Sequence, residues 1–173
     1  MDLVHKNMNF ELFPAAPQMI QVDPVVDHSV RGLCVRPYPL HPKGCPNFGK
    51  CDRCPPKAPF FEEAFDLALP VFAVVNQFDL AAHVARMAAR NPDWSDRQLR
   101  CVLYWQGTAR KQLQEKIQTA LAGLPGYVAT WCPEGMGVNV TATMQAIGVP
   151  MEWPPVNVAM QVALLGFPRG RRP

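Results

Sequence analysis

The chain has 173 residues, 49% of them hydrophobic and 18% charged, so it can bury one sizeable core and reads as a single globular domain. Its formal charge of +3 is too small to imply a nucleic-acid partner by itself, and part of that charge lies in the terminal run Arg169-Gly170-Arg171-Arg172. No apolar run approaches the length of a membrane span, and the N-terminus lacks a cationic start followed by an apolar segment. These features point to a soluble, cytoplasmic protein, in which disulfides are the weaker explanation of six cysteines.

Residues 1–27 hold short apolar pieces, among them Met19-Ile20-Gln21-Val22, broken by Pro14, Pro17 and Pro24; this pattern predicts an extended arm or edge strands. A single α/β domain follows over 28–168, with a basic tail at 169–173. The run from Pro59 to Leu67 resembles a short helix with Phe61, Phe65 and Ala68 on one face, stopped by Pro70. Val71-Phe72-Ala73-Val74-Val75 has the length and composition of a buried strand, and Asn76 to Asp79 is expected to turn the chain into a helix over Leu80 to Arg90. After the break at Asn91-Pro92-Asp93, Ser95 is placed to cap one long helix from about Asp96 to Ala122, with Leu99, Val102, Leu103, Leu113, Ile117 and Leu121 facing the core. A short strand at Tyr127 to Thr130, a glycine-rich turn from Trp131 to Gly137, a helix over Thr141 to Ile147 and a strand over Val158 to Leu165 complete the chain. Strands alternating with helices predict an α/β fold, a small and at least partly parallel sheet packed with helices.

The chemistry concentrates between Cys34 and Pro56, where Cys34, Cys45, Cys51 and Cys54 lie in a segment dense in proline. Proline removes a backbone donor and restricts its predecessor, so this loop cannot be a helix or a central strand. Thiolates bound to a metal or cluster would order it. Cys51-Asp52-Arg53-Cys54 has the spacing at which two thiolates reach one ion from a tight turn, and Cys45 and Cys34 join them if the loop folds back. Zinc prefers two such short-spaced pairs and the chain has one, whereas an iron–sulfur cluster, a larger object, tolerates irregular spacing. The expectation is therefore an iron–sulfur centre of the [4Fe-4S] type, with zinc as the alternative.

The segment Gly44-Cys45-Pro46-Asn47-Phe48-Gly49, closed by Cys54-Pro55-Pro56, resembles a family of small proteins described only as predicted metal-binding proteins, whose hallmark is a cysteine, then N-Y-G or a variant, then C-P-P. Pro133-Glu134-Gly135-Met136-Gly137-Val138-Asn139-Val140 is similar to that family's late acidic, small-residue segment. The resemblance covers the middle and end of the chain. It implies an α/β fold with a bound metal or iron–sulfur centre and no particular reaction. Cys45 and Cys54 carry over as ligands, then Cys34; Cys51 and Cys132 compete for the last position, because the family often has further cysteines before the late segment and need not have one at Cys51.

Other residues have a plainer reading beside the sharper one. His41 is a possible ligand and more simply a surface group, and Cys101 reads as a buried thiol on the long helix. Gly107 within that helix costs stability that close approach of a ligand or backbone would offset, so Tyr104, Thr108 and Lys111, with Arg97 and Arg100 nearby, are candidates to line a pocket for an anionic or aromatic small-molecule substrate; the plain reading is a solvated basic face. Two functions follow: a cluster that carries electrons to a partner or activates a small substrate, or a zinc-stabilised module that binds nucleic acid through the long helix and the Arg169 to Arg172 tail. A thiol redox enzyme using Cys51 and Cys54 is the weaker third, since no helix begins at that pair.

Overall fold

The computed structural model describes residues 19–37, 42–45 and 48–170. Two long strands run through the middle of the sheet, β2 (Val71–Asp79) and β4 (Val158–Gly166), because only these stretches are apolar on both faces. β1 (Met19–Val22) pairs with the first half of β2, and β3 (Val128–Thr130) pairs with the last residues of β4, giving the order β1-β2-β4-β3. The edge strand expected at Met19 to Val22 is therefore present.

All three pairings are antiparallel, which overturns the expected partly parallel sheet. The physical reason lies in the strand order. β2 and β3 are joined through helices and run in the same direction, as a βαβ unit would, but β4 inserts between them and opposes both. Alternation of strand and helix along the chain does not reveal such an insertion.

On one face of the sheet α4 (Gln106–Ala122) lays Leu113 and Ile117 over Val74, Ala163 and Leu165, and the same layer continues as Phe78 and Ala159 beneath Trp105 and Ala109. On the other face Ala73, Val75, Val162 and Leu164 meet Phe61 of α1 (Phe61–Ala64), Met136, Val138, and Val140 and Met144 of α5 (Val140–Ala146). This second layer is mostly irregular chain, and the cysteine turns belong to it.

The strand at Val71 does not end at Val75. It continues to Asp79, whose carboxylate accepts the N–H of Ala82 at 2.8 Å and so starts α2 (Leu80–Arg90), as predicted. Asn76 is retained inside the sheet because its Nδ2 donates to Ala109 O at 3.0 Å and Gln112 Oε1 at 3.3 Å.

The single helix expected from Asp96 to Ala122 is instead three pieces: α3 (Asp96–Leu99), a 3-10 turn (Val102–Tyr104) and α4. Trp105 breaks it by burying its ring against Phe78, centroids 5.3 Å apart, while its Nε1 donates to Arg100 O at 3.2 Å. Leu99, Leu113 and Ile117 are buried as expected, but Val102 and Leu103 are exposed, Leu103 by 85%. Among the described residues no helix is long and apolar enough to cross a membrane.

Candidate metal centre

Three turns carry the cysteines, and backbone contacts lock them together. Cys34 stands near the end of a 3-10 helix, His28–Val35, begun by Asp27, whose carboxylate accepts the Ser29 N–H at 3.0 Å. That segment is stitched to the late turn: Asp27 N donates to Gly137 O at 2.7 Å, Asn139 N to Val25 O at 2.8 Å, and Val25 N to Thr143 Oγ1 at 2.9 Å. Arg31 ties it to the end of the cysteine loop, donating to Pro56 O and Ala58 O at 3.2 and 2.9 Å with its guanidinium 4.4 Å from the centre of the Phe60 ring.

Two glycines let the turns approach. Gly44 has φ +79°, and a Cβ there would lie 2.5 Å from Cys34 O; the approach allows Cys45 N to donate to that same oxygen at 2.7 Å. Gly135 sits against the Cys51 to Cys54 turn, where a Cβ would lie 2.9 Å from Arg53 O. Within the loop, Phe48 N donates to Cys45 O, Gly49 N to Pro55 O, Cys54 N to Cys51 O and Ala58 N to Cys54 O, all at 2.9 to 3.1 Å. The proline-rich segment thus gets its order from turn hydrogen bonds and glycine contacts rather than from a helix or strand.

All six cysteines are free and partly buried. Cys51 and Cys54 have their sulfurs 3.1 Å apart. Burial pushes the Cys54 thiol up to about 12, helped by its contact with Cys51 and by the charges that Cys51, Cys132 and Cys45 would carry. The hydrogen bond with Cys54 lowers Cys51, aided by the Arg53 backbone. Burial raises Cys132, and the Glu134 carboxylate raises it further while Arg53 and Arg110 oppose the shift. Burial also raises Cys34, with Cys45 and Glu134 adding to it.

The electrostatic neighbourhood therefore contains all five predicted ligands, Cys34, Cys45, Cys51, Cys54 and Cys132. Among the described residues, however, no three His, Cys, Asp or Glu side chains are grouped closely enough to hold one ion. Cys101 stands apart, its backbone bonded to Gln98 and Tyr104. His41 and Asn47 lie outside the described residues.

The other predicted pocket residues are dispersed. Tyr104 belongs to the 3-10 turn and packs on Trp94, ring centres 5.1 Å apart, while Thr108 and Lys111 are exposed on α4. Lys111 lines a shallow groove with Gln114, Glu115, Gln118 and Thr119, without Tyr104 or Thr108. Among the described residues no atom lies near the missing Cβ of Gly107, so neither a backbone nor a side chain of theirs makes the close approach expected of it. The basic face of α4 is reduced because Lys116 turns inward and donates to Val75 O at 3.1 Å.

Glu134, Arg31, Arg53 and Arg110 surround the thiols and were not singled out by spacing. Glu134 reaches solvent, yet the protein packed around its carboxyl raises its pKa, an effect its own backbone N–H only partly offsets. The signal for it was the compact Pro133-Glu134-Gly135-Met136-Gly137 turn, whose acidic residue follows Cys132 by two positions. Comparison with family models, with curated proteins and with solved structures gave no match to this chain.

Proposed function

We propose that the three cysteine turns hold a thiolate-bound metal centre, an iron–sulfur cluster, and that the protein transfers electrons or activates a small substrate there. The observation that carries this reading is the pair of close approaches at Gly44 and Gly135, which draw thiols from three distant segments into one region. Such tight docking of irregular chain is costly unless something in the region repays it, and ligand bonds do. The resemblance of the Cys45 to Pro56 segment to predicted metal-binding proteins supports the same reading.

Donors spread over several turns suit a cluster, whose ligands sit at the corners of an extended object. Cys45 and Cys54 are taken as ligands, with Cys34 and Cys132 completing the set and Cys51 competing with Cys132. A cluster held by four cysteines would supply one-electron transfer, and one held by Cys34, Cys45 and Cys54 alone would leave an iron open to a small molecule. Arg31, Arg53 and Arg110 offset the negative charge of the thiolates, and Glu134 offers a carboxylate beside Cys34 and Cys132. Free thiols in this number suit the reducing cytoplasm, where electron-transfer partners are at hand.

Zinc is the second reading, favoured by the Cys51 to Cys54 separation of 3.1 Å. Two thiolates on one tetrahedral zinc, at about 2.3 Å each, stand about 3.8 Å apart, so the two sulfurs would move apart by about 0.7 Å to share the ion. Purification without oxygen, with a visible spectrum and assays of iron, sulfide and zinc, separates the two. Brown protein with iron and acid-labile sulfide supports the cluster; colourless protein with one zinc overturns it in favour of the zinc centre, and protein with neither overturns both.

A further inference from the structure

We infer that Cys51 and Cys54 form a reversible dithiol that closes to an intramolecular disulfide when it meets a small disulfide oxidant. This goes beyond the metal reading and concerns the metal-free protein, since Cys54 cannot ligate a metal and share a disulfide at the same time. The sulfurs are 3.1 Å apart, so closing the bond requires an approach of about 1 Å to the S–S length of about 2.0 Å. The turn that brings them together is already formed, with Cys54 N donating to Cys51 O at 3.1 Å. It is held from outside as well, by Ala58 N on Cys54 O at 3.0 Å and by Arg53 O against Gly135. Both thiols are partly buried and so reachable, and they are flanked by the exposed Asp52 and Arg53.

The chemistry balances as two exchanges. A thiolate of the pair attacks one sulfur of the oxidant, whose S–S bond breaks, and the first small thiol leaves with the electron pair and takes up a proton. The second cysteine, deprotonated by solvent, attacks the protein sulfur of the mixed disulfide, forming the Cys51–Cys54 bond and expelling the second small thiol. Two protein thiols are oxidised by two electrons and one small disulfide is reduced to two thiols. Because the second attack is intramolecular across a formed turn, it outruns capture by a second oxidant molecule or by a more distant cysteine.

Cys45 and Cys132 are the competitors, since both lie close enough to influence Cys54. The choice of partner is therefore a genuine test of the geometry.

The experiment uses the full chain, freed of metal with a chelator, treated with oxidised glutathione, alkylated and digested with trypsin. Cleavage after Lys50, Arg53 and Lys57 leaves Cys51 and Cys54 on separate short peptides, residues 51–53 and 54–57, so their bond appears as one linked species two hydrogens lighter than the sum. That species should exceed any other pairing of either cysteine by at least about tenfold, and dithiothreitol should abolish it. The Cys54→Ser variant should instead retain glutathione on Cys51. Principal linkage of either residue to Cys45, Cys132 or glutathione in the unsubstituted protein would overturn the inference, as would recovery of both as alkylated thiols. Iron, sulfide and zinc are assayed separately on untreated protein, so loss of the metal reading leaves this result standing.

Discussion

A Cβ on Gly135 would stand 2.9 Å from the carbonyl oxygen of Arg53 and 3.7 Å from the Cβ of Cys132. Two turns that are 82 residues apart along the chain are thus separated by the space of one missing methyl group. Replacing Gly135 with alanine should push them apart, costing about 1–3 kcal/mol. If the region holds a metal centre, bound metal per folded molecule should fall too. Denaturant unfolding and metal assay on the same preparation check both, and an unchanged midpoint with full metal content would show that the contact is unimportant.

Gly107→Ala has the opposite expectation. None of the described residues lies near the missing Cβ, and the residue is helical, so alanine should stabilise the protein by up to about 1 kcal/mol and leave metal content unchanged. A destabilised Gly107→Ala would restore the view that this glycine serves a ligand or a neighbouring backbone.

Serine in place of Cys54 or Cys132 should leave most of the metal unbound, whereas Cys101→Ser should retain it, because Cys101 is tied to none of the three cysteine turns. Equal loss from all three variants would indicate a general folding defect, and circular dichroism measured in parallel distinguishes the two.

Asn76 is only 1% exposed and joins β2 to α4 through Ala109 O and Gln112 Oε1. Asn76→Ala should cost about 1–3 kcal/mol in chemical denaturation. The lesion lies across the sheet from the cysteine turns, so the protein that remains folded should bind metal normally.

His83 is buried beside Phe78, its Nε2 has no hydrogen-bond partner among the described residues, and burial, with Arg86 nearby, holds its pKa below the ordinary value of 6.5. A depressed imidazole stabilises the fold above the unfolded value, and that contribution is lost as pH falls from about 6.5 through the folded value, because the unfolded chain takes up the proton first. Stability should therefore decline with a slope of up to about 1.4 kcal/mol per pH unit in that window, and His83→Gln should flatten it. Urea midpoints at pH 7.5, 6 and 5 for both proteins provide the measurement.

Local chemistry was enough to locate most elements. Leu80 to Arg90 reads as a helix, Ser95 as a helix start, and the apolar runs at Val71 and Val158 as strands, because hydrophobic periodicity and capping act over a few residues. The same local rules made the cysteine loop conspicuous through Cys34, Cys45, Cys51 and Cys54, whereas Cys132 was added by the resemblance of the late segment. They failed where a distant partner decides the outcome. Leu103 has the same apolar character as Leu99, yet Trp105 turns inward onto Phe78 and the helix breaks between them. The direction of the sheet was likewise hidden, because β4, the last strand made, enters between β2 and β3. At the cysteine turns, spacing alone suggested which thiols could meet, whereas the approach of Gly44 to Cys34 and of Gly135 to Arg53 determined how they are arranged. Those contacts join residues remote in the chain, and a contact between distant segments depends on how the core between them packs, which periodicity does not encode.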